Sequence, residues 1–191
     1  MKLCFATNNT NKLAEIQALL GNAFELITLE EIGCTVDIPE PFETIRENSN
    51  EKARYVWDNF GVNCFADDTG LEVAALNGEP GVKSARYAGP QRNADDNMDL
   101  LLSKLSSKED RSARFVTVIT LVIDGFYQEF EGVVNGQIIP DKRGQLGFGY
   151  DPIFIPENLE QTFAQMNMDE KSRISHRARA FVKLEKFLKE L

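Results

Sequence analysis

The sequence predicts an α/β fold built on a mixed β-sheet. Short apolar segments with strand character alternate along the chain with segments whose apolar residues recur at helical spacing. Asp124-Gly125 lies between two long apolar segments and predicts a hairpin turn, which adds an antiparallel pair to the sheet. A chain of 191 residues, 42% of them hydrophobic, suffices for one compact domain over residues 1–191.

The individual elements follow from the same patterns. Apolar and β-branched runs predict strands at residues 3–6, 26–29, 62–66, 71–76, 115–123 and 127–134. Helical spacing predicts helices at residues 13–20, 45–60, 98–105 and 181–191. Gly21-Asn22 and Gly61 are expected to end the first two of these helices, because glycine and asparagine are common just past a helix.

Charge and cysteine content narrow the function classes. The net charge of −9 argues against binding to nucleic acid polymers or to an anionic membrane surface. No apolar run is long enough to cross a membrane, and no signal peptide is recognisable. Cys4, Cys34 and Cys64 fit no zinc or disulfide pattern, and they are expected to be buried thiols. We therefore expect a cytoplasmic protein.

Asp67 and Asp68 follow a buried apolar run, within the segment 66–71 (ADDTGL). Paired carboxylates suit a hard cation such as Mg²⁺, and a carboxylate can act as general base toward water. The alternative is a plain turn, which Asp, Thr and Gly also favour. Because adjacent strand residues point to opposite faces, the two carboxylates need not share a role. Glu40, between two prolines, is a further candidate acid.

Two other segments have the character of ligand-binding sites. The turn 7–12 leads from a strand into a helix, where backbone N–H groups and Lys12 favour a phosphate; otherwise it only caps the helix. Glycines on both sides of Phe148 leave its ring open to a flat ligand, unless the ring lies in the core.

The basic segment 171–177 holds the only histidine of the chain. Ser175 is a suitable N-cap, which places His176 and Arg177 in a first helical turn, where cations oppose the helix dipole. This local cost indicates a functional role, although a solvated basic stretch is the simpler alternative.

Taken together, these segments resemble the inosine triphosphate pyrophosphatase family, also called XTP/dITP diphosphatases. The resemblance covers nearly the whole chain, and it rests on residues 5–16, Glu47-Asn48, Lys52-Ala53, 66–71, 84–89, 147–154, Glu170-Lys171 and 174–177. It implies an elongated α/β fold, with a long mixed sheet flanked by helices and two lobes around a central cleft. It also implies a homodimeric, Mg²⁺-dependent enzyme that hydrolyses ITP, dITP and XTP to the monophosphate and pyrophosphate.

The resemblance also implies residue roles. Asp68 would be the general base and a Mg²⁺ ligand, with Glu40 as second metal carboxylate and Asp67 beside them. The triphosphate would be held by Thr7, Asn8, Asn9, Thr10, Asn11 and Lys12, and Lys12 would also be catalytic by holding the growing charge of the departing pyrophosphate. The nucleotide would also contact Thr69 and Lys171, and the base pocket would consist of Phe148, Gly149, Tyr150, Asp151, His176 and Arg177.

Two alternatives remain open at the level of sequence. A Maf-like pyrophosphatase would act on other nucleotides, and a panel of substrates separates it from the first reading. A non-catalytic nucleotide-binding module would bind the nucleotide with Mg²⁺ and release no pyrophosphate. The Asp67-Asp68 pair with two lysines argues against such a module, because binding alone needs no general base.

Overall fold

The computed structural model describes residues 1–20 and 24–191. The strands in these ranges are β1 (Lys2–Phe5), β2 (Glu25–Ile27), β3 (Cys64–Val73), β4 (Pro80–Gly81), β5 (Ser112–Ile123), β6 (Phe126–Ile138) and β7 (Phe154–Pro156). The helices are α1 (Thr10–Leu20), α2 (Ile45–Phe60), α3 (Ala94–Lys104), α4 (Met168–Ser172) and α5 (His176–Lys189). Within the same ranges, no helix combines the length and the apolar character that crossing a membrane requires.

The described strands form a single mixed sheet in the order β2-β1-β3-β5-β6-β7, with β4 paired to β3. β1 runs parallel to both β2 and β3, whereas β4 is antiparallel to β3 and β7 is antiparallel to β6. The predicted α/β class with a mixed sheet flanked by helices is therefore confirmed.

The chain divides into two compact units. The first comprises residues 1–68, 117–132 and 177–191, and the second comprises residues 69–116 and 133–176. The chain passes between the units within β3, β5 and β6, so these strands contribute residues to both.

The first unit has a buried cluster on each face of its strands. Along β1, Leu3 and Phe5 belong to one cluster, while Cys4 and Ala6 belong to the other. This alternation follows from the two-residue period of a strand. The first cluster also takes side chains from α1 and α5, and the second takes side chains from α2. Strands buried on both sides explain the nearly continuous apolar runs.

The second unit has one cluster. It joins α3 to side chains of β3, β5 and β6. Within it, the Phe154 ring packs edge-on against Phe115 and stacks on Phe163.

Several sequence predictions are confirmed. Gly61 ends α2 in the left-handed region at φ 61°. Asp124 and Gly125 both have positive φ and connect the neighbouring strands β5 and β6. Cys4, Cys34 and Cys64 are buried free thiols.

Other boundaries were predicted wrongly. The strands expected at 62–66 and 71–76 are one continuous strand, β3, and residues 74–76 form a short 3₁₀ turn. The strand expected at 26–29 is β2, which is shorter and ends at Ile27. The first helix begins at Thr10, inside the predicted turn 7–12. Its predicted stop at Gly21-Asn22 lies outside the described residues.

Candidate active site

Asp67 and Asp68 lie inside β3 and face opposite sides of the sheet. Phe65 belongs to the cluster beside α1 and α5, and Ala66 belongs to the cluster beside α2. Because side chains alternate along a strand, Asp67 lies on the face beside α1 and α5, and Asp68 lies on the face beside α2. Their partners agree, because Asp67 binds Lys12 of α1 and Asp68 faces Lys52 of α2. The expectation that the two carboxylates occupy different surroundings is confirmed.

Asp67 is buried between two cations. Its Oδ1 accepts a hydrogen bond from Lys12 Nζ at 2.9 Å, and its Oδ2 accepts one from Arg177 Nε at 2.9 Å. Arg177 is fully buried and also donates from Nη1 to a carboxylate oxygen of Glu15. The side chain of Asp67 thus connects the first turn of α1 to the first turn of α5.

The charges around Asp67 decide its protonation. Burial on its own favours the neutral acid, but the positive charges of Lys12, Arg177 and Lys52 outweigh it and lower the pKa of Asp67. Burial lowers the pKa of the Lys12 ammonium, and Asp67 only partly offsets that effect. Asp67 is therefore a fixed anion, and its surroundings suit an electrostatic role better than proton transfer.

Asp68 has the opposite character. Burial, helped by the nearby charges of Glu40 and Asp67, raises its pKa above the usual range of an aspartate, although Lys52 and Lys12 oppose the shift. The ion-pair contact between Asp68 Oδ1 and Lys52 Nζ is long, at 3.5 Å. A carboxylate with a raised pKa is the better proton acceptor of the two.

The Lys52 ammonium contacts the carboxylates of both Glu40 and Asp68. Its Nζ lies 2.6 Å from Glu40 Oε1 and 3.5 Å from Asp68 Oδ1, so both carboxylates lie within reach of a single cation. In the described part of the chain, no group of three or more acidic, histidine or cysteine side chains is arranged to hold a metal. Hard oxygen donors nevertheless fit Mg²⁺, which keeps several water or phosphate ligands of its own.

The predicted phosphate segment is partly helical. Thr10, Asn11 and Lys12 form the first turn of α1, and the Asn9 side chain caps it by accepting hydrogen bonds from the N–H groups of Asn11 and Lys12. The helix cap that was the alternative for this turn is thus present.

The other residues of this segment have local or surface contacts. Thr7 Oγ1 accepts a hydrogen bond from the Asn9 N–H at 3.1 Å, and Asn8 donates to Asp37. The side chains from Asn8 to Asn11 are exposed. The side chain of Lys12, in contrast, is bound to Asp67.

In the second unit, Asp151 and Lys171 form a buried pair beside Phe148. Asp151 Oδ2 accepts hydrogen bonds from Lys171 Nζ at 2.6 Å and from the Phe148 N–H at 2.8 Å. The Lys171 ammonium lies 4.9 Å from the centroid of the Phe148 ring, a cation–π distance. A Cβ on Gly147 would clash with the Asp151 carboxylate, and its positive φ also favours glycine. These contacts fix the orientation of the Phe148 segment.

The remaining predicted base-pocket residues of this unit have varied positions. Tyr150 is buried and donates its hydroxyl to the Ser84 carbonyl, and burial raises its pKa. His176 is buried and stacks on Phe115, with ring centroids 4.6 Å apart. Gly149 has positive φ and open space around its Cβ position, and Thr69 is half-buried in β3.

No role was assigned to Glu15 or Lys52 from the sequence. Lys52 forms an ion pair with Asp68, and Glu15 shares the cation Arg177 with Asp67. Glu15 adjoins Ile16 on the buried side of α1, and Lys52 adjoins Ala53 on the buried side of α2. A charged residue within the buried stripe of an amphipathic helix was the available signal, because such a charge needs a partner.

Comparison with known proteins gives a consistent result. A model of the Ham1 family matches residues 3–187. A dITP/XTP pyrophosphatase of Flavobacterium johnsoniae is 54% identical over 184 residues, which are 96% of each chain. The structure of a HAM1 protein from Coxiella burnetii aligns with a TM-score of 0.92 at 38% identity, over 100% of both chains.

A second solved structure agrees. A nucleoside-triphosphatase from Mycobacterium abscessus, described as a dITP/XTP pyrophosphatase, aligns with a TM-score of 0.79 at 40% identity, over 96% of this chain and 98% of that one. These matches confirm the resemblance inferred from the motifs. Because the family model spans almost the entire sequence, the chain belongs to the Ham1 family.

Proposed function

We propose that this protein hydrolyses the nonstandard purine nucleoside triphosphates dITP, XTP and ITP to the monophosphate and pyrophosphate, and thereby cleanses the nucleotide pool. The observation that carries the proposal is the separation of Asp67 and Asp68 onto two faces of β3, one tightly bound by cations and the other with a raised pKa. A module that only binds nucleotides does not need two adjacent carboxylates whose pKa values are shifted in opposite directions. The names of the relatives support the choice of substrate.

The proposed cofactor is Mg²⁺, held by Glu40 and Asp68. Their carboxylates already share one cation in Lys52, which supports a common site. A bound magnesium ion supplies charge neutralisation for the phosphate oxygens and for the departing pyrophosphate. Asp67 was a third candidate ligand, but its contacts with Lys12 and Arg177 favour a role in holding these cations.

Asp68 is the proposed general base. It takes a proton from a water molecule whose oxygen forms a bond to the α-phosphorus, and the bond from that phosphorus to the bridging oxygen of pyrophosphate breaks. Ionised Asp68 is the active form, since a protonated acid accepts no proton.

The proposed triphosphate site is the segment from Thr7 through Asn8, Asn9, Thr10 and Asn11 to Lys12. Lys12 supplies a positive charge, and its ammonium group is held in place by the hydrogen bond to Asp67. A strongly acidic chain needs such local cations to accept a polyanionic substrate.

The proposed base site uses Phe148 as a stacking surface, with Gly149, Tyr150 and Asp151 in the same pocket and with Thr69 and Lys171 as nucleotide contacts. A donor from His176 or Arg177 to the 6-keto oxygen would favour hypoxanthine and xanthine. Adenine carries an amino donor at that position, and two opposed donors disfavour its binding.

We also propose that the protein is a homodimer of the cytoplasm. The dimer is an inference from the family resemblance. Three buried thiols agree with a reducing compartment.

The test is pyrophosphate release from a panel of nucleoside triphosphates, with and without Mg²⁺. We expect release from dITP, XTP and ITP, little from dATP and dGTP, and none after removal of the metal by chelation. Preferential hydrolysis of other nucleotides would support a Maf-like specificity, and binding without release would support a non-catalytic module.

A further inference from the structure

Asn48 is a buried polar residue of α2 that the proposed mechanism does not use. Its side chain is fully buried, and its amide group is hydrogen-bonded to the loop that precedes α2. Its amide oxygen accepts a hydrogen bond from the Phe42 N–H at 2.9 Å, and its amide nitrogen donates to the Phe42 carbonyl at 3.0 Å. The side chain thus binds both backbone groups of one residue in the loop before α2.

This loop carries Glu40, two residues before Phe42. The Phe42 ring is 39% exposed, so the burial of its side chain does little to hold the loop. Proline at position 41 has a fixed φ and restricts the residue before it to extended conformations. A backbone fixed at Phe42 therefore sets the direction of Glu40 through a stiff connection.

Asn48 and Lys52 act on the same loop from one side of α2. They are four residues apart and both buried, so they lie on the same helical face. Asn48 holds the backbone at Phe42, and Lys52 holds the Glu40 carboxylate at 2.6 Å.

We propose that Asn48 is a positioning residue that sets the Glu40 carboxylate for the metal, an inference that rests on the proposed function. It contacts neither substrate nor metal, and it acts through the backbone of Phe42. Substitutions behind a metal ligand typically reduce metal affinity or activity by about 10–100-fold.

Asn48→Ala tests this role through three measurements. We expect faster hydrogen exchange of the Phe42 amide, which loses its acceptor. We expect at least about a 10-fold rise in the Mn²⁺ dissociation constant measured by electron paramagnetic resonance without nucleotide. We also expect a similar rise in the Mg²⁺ concentration for half-maximal activity, with the KM for dITP at saturating Mg²⁺ changed much less.

Val56→Ala is the matched control. Val56 is fully buried on the same face of α2 and belongs to the cluster beside β3, so its truncation opens a cavity without touching the loop. It should reduce stability and leave the Mn²⁺ dissociation constant within about twofold of wild type. Equal weakening of metal binding in both variants would overturn the proposal, since loss of stability alone would then explain it.

Asn48→Asp covers the case in which the alanine variant fails to fold. It retains an acceptor for the Phe42 N–H and sets a carboxylate against the Phe42 carbonyl. Added negative charge alone would tighten metal binding, whereas a displaced Glu40 weakens it. Weaker Mn²⁺ binding supports the proposal, and unchanged or tighter binding overturns it. If wild type hydrolyses no nucleotide, the proposed function fails, while amide exchange and Mn²⁺ binding still decide the role of Asn48.

Discussion

Replacing Asp67 by asparagine should destabilise the protein strongly, although the side chain keeps its shape. Asp67 is fully buried, and its two oxygens accept hydrogen bonds from Lys12 and Arg177, each at 2.9 Å. The substitution removes the negative charge that lies between these two buried cations. One amide oxygen can still accept a hydrogen bond, but the amide N–H₂ group faces the other cation.

The size of the effect follows from the cost of an uncompensated buried charge. Removing one partner of a buried ion pair typically costs about 3–5 kcal/mol. Glu15 remains beside Arg177 and moderates the loss, so we expect a value near 3 kcal/mol. In a protein of this size, a loss of about 3 kcal/mol lowers the melting temperature by roughly 6–12 °C.

The effect should depend on pH. The folded-state pKa of Asp67 is lowered, so its ionised form stabilises the fold at any pH above the unfolded pKa of about 3.9. As the pH falls below that value, the unfolded chain takes up a proton that folded Asp67 still refuses. The difference in unfolding free energy between wild type and Asp67→Asn should therefore narrow below about pH 4.

Asp68→Asn is the matched comparison, because it is the same substitution in the next residue of the same strand. The raised pKa of Asp68 shows that its surroundings disfavour the charge, so the neutral amide should leave the unfolding free energy within about 1 kcal/mol of wild type or increase it. Urea unfolding at pH 7 measures both variants. Equal losses of stability in the two, or no loss in Asp67→Asn, would refute the assignment of different roles to the pair.

Three further predictions concern the base site. Phe148→Ala should lower kcat/KM for all purine substrates by a factor equivalent to about 1–3 kcal/mol of lost stacking energy. The order of the substrates should not change, because stacking barely discriminates among bases, and steady-state kinetics on dITP and dATP checks this. Gly147→Ala should weaken nucleotide binding, because the new methyl would displace the Asp151 carboxylate that holds Phe148 and Lys171; calorimetric titration with a nonhydrolysable dITP analogue measures it, and unchanged affinity would contradict it. Arg177→Ala also leaves the buried carboxylates of Asp67 and Glu15 without this cation, so it should lower stability as well. In the folded fraction it should narrow the ratio of kcat/KM for ITP over ATP, and an equal ratio in folded variant and wild type would exclude a role in reading the base.

The sequence predicts those elements whose local signals agree with their surroundings. α2 has an N-cap threonine, a buried stripe at helical spacing and a terminal glycine, and its bounds are those expected. The Asp124-Gly125 turn is equally local, because two consecutive positive φ values suit few other pairs.

The acidic pair shows where local signals fail. Asp, Thr and Gly favour a turn, and the sequence therefore predicted a strand that ends at Ala66, before the acidic pair. The strand continues because distant residues supply the buried carboxylate with partners: Lys12 is 55 residues away, and Arg177 is 110 residues away. Only the folded chain brings these charges together. Lys52 and Glu15 were overlooked for the same reason, since their partners lie on other elements.

The central claim is that water activated by Asp68 attacks the α-phosphorus of the nucleotide. The most direct measurement is hydrolysis of dITP in ¹⁸O-labelled water with Mg²⁺, followed by mass spectrometry of both products, for wild type and Asp68→Asn. We predict that wild type places the label in dIMP and leaves pyrophosphate unlabelled, and that Asp68→Asn loses most turnover while remaining folded. Label in pyrophosphate, release of single phosphates, or near-normal turnover by Asp68→Asn would contradict the account.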